Sequence, residues 1–99
     1  MKIIIKENRL EMLFAEFLNN WVGSRDWIEF DGYIVLEDPH KDPENNVDME
    51  YDGENGRLWV RYELISILID LFPTDFDETF EYVGKYFEKK FGVKVNEVV

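Results

Sequence analysis

Three carboxylates at alternate positions, Asp48, Glu50 and Asp52, precede Gly53 in the stretch VDMEYDGENGRLW. The calcium loop of an EF-hand begins in this way, with oxygen ligands at positions 1, 3 and 5 and glycine at position 6. The same loop also needs a bidentate glutamate at position 12 and a helix on each side. Counted from Asp48, position 12 is Trp59. The stretch therefore lacks an essential calcium ligand.

Apolar and charged side chains alternate strictly on both sides of Asn55-Gly56, a pair that favours a tight turn. A period of two is typical of strands, so the sequence predicts a β-hairpin here. Two registers are open, and both place carboxylates opposite arginines on a charged face. The pairs are Glu54–Arg57 and Glu50–Arg61 for a two-residue turn, or Asp52–Arg57 and Asp48–Arg61 for a four-residue GENG loop.

The polar segment DPHKDPENN contains the other candidates for chemistry. His40 is the single histidine, and the segment offers no structured neighbours with which it could form a triad or an imidazole metal site. Asp38, Asp42 and Glu44 could bind a divalent cation loosely, but hard cations need six or more converging oxygens. We expect a solvated acidic loop instead. With no cysteine, no Gly-x-Ser-x-Gly elbow and no phosphate loop, we expect no catalytic residue and no cofactor.

The net charge of −11 is distributed unevenly. Residues 26–54, here called the acidic region, contain eleven carboxylates and one base, Lys41. A field of this sign repels phosphate, so direct binding to nucleic acid or to an anionic membrane is disfavoured. A basic protein partner fits this charge better, and solubility alone is the simpler explanation.

Mimicry of nucleic acid is the alternative function for so much acid. On a strand, Asp48, Glu50 and Asp52 would stand about 6.7 Å apart, which is about half the charge density of one strand of B-DNA. Arg57 and Arg61 on the partner strand would cancel part of that field. Further carboxylates could extend the patch: Glu29, Asp31, Glu37 and Asp38.

Trp59 falls on the charged face of the predicted hairpin, and an exposed tryptophan among charges often marks a protein contact. Trp27 could lie on either face of its strand. Coverage of Trp59 by another element, or by a second copy in a homodimer, is the other explanation. The candidate contact residues are Trp59, Trp27, Glu29, Asp31, Asp48, Glu50, Asp52, Arg57 and Arg61.

The N-terminal stretch predicts a strand followed by a helix. KIIIK is a short apolar run rich in β-branched residues, as in a buried strand. Asn8 and Glu11 have the spacing of a capping box. The apolar residues that follow recur at helical spacing up to Trp21, and Gly23 and Ser24 are expected to end the helix.

Residues 27–37 have the composition of two short strands around an Asp31-Gly32 turn, and one longer strand bulged at Gly32 is the competing interpretation. Residues 38–46 contain two prolines and no large apolar side chain, which predicts a mobile acidic loop or a binding loop. The hairpin over 47–62 follows.

The C-terminal third changes period. ELISILIDLF is apolar almost all round, and we favour a short buried helix that ends before Pro73 over a continued strand. Thr74 or Asp75 caps the next helix, with Asp75 and Glu78 as a capping pair. Its core-facing residues are Phe76, Phe80, Val83, Phe87 and Phe91. Gly92 suits the C-terminal cap, and VKVNEVV predicts a final strand.

These elements predict a single α+β domain over 1–99, with the order β-α-β-β-β-β-α-α-β. The sheet is expected to be mostly antiparallel, with about three helices on one face. No apolar run reaches the roughly 18 residues needed to span a bilayer, and the run before Lys6 is too short for a signal peptide. We expect a cytoplasmic protein.

Two stretches, KIIIKENRLEMLF and LFPTDFDETFEYVGKYFEKKFGVKV, cover about 40 of the 99 residues. They resemble segments of small uncharacterised proteins of bacteriophages and marine viruses. The resemblance implies a viral setting, with the host cytoplasm as location, and supplies no activity to transfer. The leading hypothesis is a non-enzymatic protein-binding module, such as a viral accessory protein or an inhibitor of a host protein. A DNA-mimic inhibitor and a small metal-dependent hydrolase are the alternatives.

Overall fold

The computed structural model describes residues 7–99, with side chains from Arg9 onward. It confirms an α+β fold with three helices and a mostly antiparallel sheet. The elements are α1 (Glu7–Val22), β1 (Asp26–Phe30), β2 (Tyr33–Glu37), β3 (Val47–Asp52), β4 (Arg57–Val60), α2 (Tyr62–Leu71), α3 (Phe76–Phe91) and β5 (Glu97–Val98). The described order therefore begins with a helix. The strand predicted over KIIIK lies outside the described residues.

The five strands lie in the order β1-β2-β3-β4-β5, so each strand neighbours the next along the chain. The first three pairings are antiparallel, and the pairing of β4 with β5 is parallel. A parallel neighbour requires a crossover connection rather than a tight turn, and here α2 and α3 supply it. The sheet is therefore mixed.

Two tight connections set the registers of the antiparallel strands. Asp31 (φ 46°) and Gly32 (φ 81°) both have positive φ, as the favoured two-residue hairpin turn requires. The interpretation of residues 27–37 as one bulged strand is wrong. In the second hairpin Asp52 stands opposite Arg57, so the four-residue GENG loop is the register that forms. The hairpin predicted over residues 47–62 is confirmed, although α2 already begins at Tyr62.

The helix boundaries follow local chemistry. Helix α1 already begins at Glu7, so Asn8 lies inside it and is not its N-cap, contrary to the prediction. The capping box of α3 is confirmed: the Glu78 backbone N–H donates to Asp75 Oδ1 at 2.9 Å, and the Asp75 N–H donates to Glu78 Oε1 at 3.4 Å. Gly92 ends α3 at φ 65° and ψ 30°, the left-handed cap that glycine favours.

The core lies between one face of the sheet, here called the inner face, and the three helices. The inner face contributes side chains from β2, β3 and β4, which are Leu36, Met49, Tyr51, Leu58 and Val60. Each helix buries residues against them, including Phe14 of α1, Leu68 of α2 and Phe87 of α3. The prediction that ELISILIDLF forms a buried helix is thereby confirmed, and none of the three described helices packs on the opposite face of the sheet.

Candidate interaction surface

Strand alternation defines the opposite, outer face of the sheet. Successive side chains along a strand point to opposite faces of the sheet, so the residues before and after each inner-face residue point outward. The registers place these outward residues in two rows across the strands. One row is Ile28, Val35, Glu50 and Trp59, and the other is Phe30, Tyr33, Asp52 and Arg57. These eight residues are called the outer face below.

Four large hydrophobic side chains of the outer face are open to solvent. The exposed fractions are 52% for Phe30, 38% for Ile28, 37% for Tyr33 and 38% for Trp59. The rings of Phe30 and Tyr33 are stacked, with centroids 5.9 Å apart, across the Asp31-Gly32 turn. Single apolar residues scattered over a protein surface are normal. Several exposed aromatic side chains on one sheet face are instead typical of a contact surface.

Charged residues share the outer face with these side chains, and Glu50 and Asp52 of β3 separate the apolar side chains of β1 and β2 from Trp59 of β4. Glu50 stands opposite Trp59 in the register and is exposed. Arg57 Nε lies 3.1 Å from Glu97 Oε2 of β5, an open ion pair that contributes little to stability. The Asp52 carboxylate accepts hydrogen bonds from the Asn55 side chain at 2.7 Å and from the Glu54 N–H at 3.0 Å. The hydrogen bond from the Asn55 side chain is the main cause of the lowered pKa of Asp52, and it favours the ionised form of this carboxylate.

Asp48 shares the strand parity of Glu50 and Asp52 but is 0% exposed. Two arginines surround it, and the three residues are called the Arg25–Asp48–Arg61 cluster. Arg25 Nε lies 2.5 Å from Asp48 Oδ2, and Arg61 Nε lies 3.2 Å from Asp48 Oδ1. The Arg61 backbone N–H also donates to the Asp48 carbonyl at 2.9 Å. A buried carboxylate of this kind requires such partners, because desolvation of an unpaired charge costs several kcal/mol.

The cluster also fixes the segments around it. Arg25 Nη1 donates to the Trp21 carbonyl at 2.5 Å, at the end of α1, and its guanidinium lies 4.3 Å from the Trp21 ring centroid. Arg61 donates to the carbonyls of Asn45 at 2.9 Å and Val47 at 2.8 Å. The loop 38–46 and the end of α1 are thus tied to the sheet by the same two side chains.

The candidate metal ligands of the loop do not converge. Asp38 is buried, its Oδ2 lies 3.6 Å from Arg25 Nη2, and its Oδ1 accepts from the His40 backbone N–H at 3.0 Å. Asp42 and Glu44 are exposed. Within the described residues, no group of three or more histidine, aspartate or glutamate side chains is arranged to hold a metal ion.

The structure divides the predicted contact residues into two groups. Trp59, Glu50, Asp52 and Arg57 are brought together on the outer face, and Asp31 lies in the turn beside Phe30. The other candidates lie elsewhere in the structure. Trp27 lies on the inner side, where its ring centroid is 4.8 Å from that of Phe91 and 5.8 Å from that of Phe87.

Asp48 and Arg61 belong to the buried cluster, and Glu29 has the inner parity of Trp27, at the exposed edge of β1. With Asp48 withdrawn, the row of three carboxylates that the mimicry hypothesis uses is reduced to Glu50 and Asp52, and Asp52 faces Arg57. The exposed carboxylates of β3 therefore do not form the evenly spaced row of charges that mimicry of a DNA strand requires.

Ile28, Phe30 and Tyr33 were missed by the sequence reasoning. The signal was present, because an Asp31-Gly32 turn necessarily pairs Phe30 with Tyr33. The sequence did not show which side of β1 faces the core, because this strand has apolar residues on both sides.

Comparison of the chain with protein-family models, with curated proteins and with solved structures finds no significant match. The resemblance to small viral proteins therefore stays a prediction. Among residues 7–99, no helix combines the length and the apolar character needed to cross a membrane.

Proposed function

We propose that this chain is a non-enzymatic protein-binding module whose outer face holds a basic protein partner. The observation that supports this function best is that four large hydrophobic side chains are exposed on a sheet face that none of the described helices covers. Two of them, Phe30 and Tyr33, are already stacked, so little side-chain freedom is lost when a partner covers them.

The surroundings of the patch favour a partner of opposite charge. Asp52 stands next to Tyr33 across the strands, Asp31 lies in the turn beside Phe30, and Glu50 lies between Val35 and Trp59. Arg57 is the basic residue of the outer face, and Glu97 pairs with it. The carboxylates thus lie among the exposed apolar side chains, and charges at an interface raise the association rate of a partner of opposite charge.

The same arrangement disfavours a second copy of this chain as the partner. Two identical outer faces would bring Glu50, Asp52 and their acidic neighbours together, in a chain that already has a net charge of −11. Like charges at an interface cost free energy unless they are paired. We therefore propose a heterologous partner, in keeping with an accessory protein or inhibitor that acts by covering a basic surface.

The test is capture of partners from a lysate of the host or source cells by the wild-type chain, Trp59→Ala and Phe30→Ala. We expect the wild type to retain a basic protein that both variants lose, since truncation of central aromatic anchors costs about 2 kcal/mol or more, roughly thirtyfold in affinity. Binding of that protein is expected to weaken as salt is raised, because rim charges are screened.

Phe76→Ala is the matched control, because Phe76 is 48% exposed at the start of α3, contrary to the prediction that it faces the core, and is not part of the outer face. It should retain the partner. Equal recovery by the wild type and Trp59→Ala, or recovery of no partner at all, would show that the outer face is not the contact surface.

A further inference from the structure

A groove of about 470 Å³ runs between α1 and α3, on the helical side of the molecule. Its walls come from Glu11, Met12, Ala15 and Asn19 of α1 and from Tyr82, Tyr86, Lys89 and Lys90 of α3. Below it the two helices are held together by Phe14, whose ring stacks on Tyr82 at 4.9 Å. The volume is within the range of small-molecule sites in proteins, about 300–1,000 Å³.

The lining is apolar in the middle. Tyr82 and Tyr86 are almost fully buried, and Ala15 is the small residue that leaves room between them and α1. Met12 is exposed at the mouth, where its flexible thioether can adapt to an aromatic ring. These groups suit a flat aromatic or alkyl body.

Several polar groups of the groove already bind each other, and the remaining ones are available to a ligand. The Tyr86 hydroxyl donates to Asn19 Oδ1 at 2.9 Å, so the Asn19 side-chain NH₂ is left as a donor. Burial raises the pKa of Tyr86, which keeps that hydroxyl protonated. Lys89 Nζ lies 2.6 Å from Glu11 Oε1, and this hydrogen bond lowers the pKa of Glu11.

Lys90 gives the lining of the groove one positive charge that no acidic residue of the lining balances. The Lys89–Glu11 pair is neutral as a whole, and within the described residues Lys90 makes no ion pair, so the lining has a net charge of +1. In a chain of net charge −11 this local reversal of sign is notable, because it offers an anion a favourable contact at one point.

We propose that the groove between α1 and α3 binds an amphipathic carboxylate, with its apolar body against Met12, Ala15 and Tyr82 and its anionic group at Lys90. The site is separate from the outer face, which lies on the other side of the sheet. It is therefore independent of the protein-binding function proposed above.

The experiment uses 2-naphthoate as the probe and 2-naphthamide as its neutral counterpart, with calorimetry for affinity and amide NMR shifts for position. For the wild type we expect shifts confined to α1 and α3 and about fivefold weaker binding of the amide, since one solvent-exposed ion pair is lost. Lys90→Gln should weaken naphthoate by a similar factor and leave the amide unchanged.

Two further variants keep the test decisive. Met12→Asp places a negative charge at an exposed position of the mouth, so the fold is retained and naphthoate binding should fall about fivefold or more. Lys41→Gln removes one positive charge from the loop 38–46, which contributes no residue to the lining of the groove, and should bind naphthoate as the wild type does. Absence of binding at millimolar naphthoate, equal affinity for the amide, or shifts located elsewhere would overturn the proposal.

Discussion

Asp48 and Asp52 lie on the same strand with the same parity, and their surroundings are opposite. Asp48 is fully buried between Arg25 and Arg61, whereas Asp52 is partly exposed and accepts hydrogen bonds from the amides of its own loop. A carboxylate is buried here where partly buried arginines surround it, as Arg25 and Arg61 surround Asp48. Asp52 and Glu97 have only the exposed Arg57 beside them, and they remain at the surface, available to a partner.

The sharpest way to test this contrast is Asp48→Asn. The substitution keeps the shape of the side chain but leaves Arg61 without its anion, and Arg25 with only the Asp38 carboxylate, 3.6 Å away. Removal of one member of a buried pair typically costs about 3–5 kcal/mol, and we expect a loss of this order in the free energy of unfolding. Urea denaturation measures it.

Glu50→Gln is the matched control, because Glu50 is two residues away on the same strand and is exposed. It should leave the unfolding midpoint nearly unchanged. If the two variants were equally stable, the Arg25–Asp48–Arg61 cluster would have no structural role.

The same comparison extends to the two tryptophans. Trp27→Ala should lower the free energy of unfolding by about 2–3 kcal/mol, somewhat less than for a fully buried ring, because Trp27 is half-buried against Phe87 and Phe91. Trp59→Ala removes a ring that lies on the outer face and should cost about 1 kcal/mol or less. Thermal denaturation of both variants gives the comparison.

A larger loss for Trp59→Ala than for Trp27→Ala would mean that Trp59 supports the fold, and its value as a contact residue would be doubtful. The measured order of the two losses is therefore also a check on the proposed function.

The smallest expected effect concerns pH. The folded-state pKa of Asp52 is lowered, so its contribution to stability is present above the unfolded value near 3.8 and is lost as pH falls through the folded value. Asp52→Asn should therefore make unfolding slightly less sensitive to pH below about 4. Urea midpoints between pH 2.5 and 6 would show the difference.

Asn55→Ala is a second route to the same result, because the Asn55 side chain is the main cause of the lowered pKa of Asp52. An acid dependence identical to that of the wild type in Asn55→Ala would contradict this assignment.

Most of the fold follows from local signals in the sequence. Both hairpins, the helix over ELISILIDLF and the Asp75 cap depend on residues within a few positions of each other, and each is confirmed. An N-cap at Asn8 would make Arg9 the first helical residue, two positions after Glu7, where the described helix begins. A sequence pattern predicts the presence of a helix more reliably than the residues at which it begins and ends.

The site was less predictable because it depends on contacts between distant residues. Arg25 precedes its strand with no local sign of a partner, and it meets Asp48, 23 residues away, only once β1, β2 and β3 have paired. The parity of β1 depends in the same way on Phe87 and Phe91 of α3, which take up Trp27 and so turn Phe30 outward. Alternation within β1 could not distinguish the two sides.

The parallel pairing of β4 with β5 has a consequence for the order of folding. Both hairpins can close as soon as their own residues leave the ribosome, whereas β5 can join β4 only after α2 and α3 have been made. Until then the Leu58 edge of the sheet is open, and such an edge can pair with another chain. We therefore expect the β4 edge to be a site of aggregation in the nascent protein until residues 97 and 98 arrive.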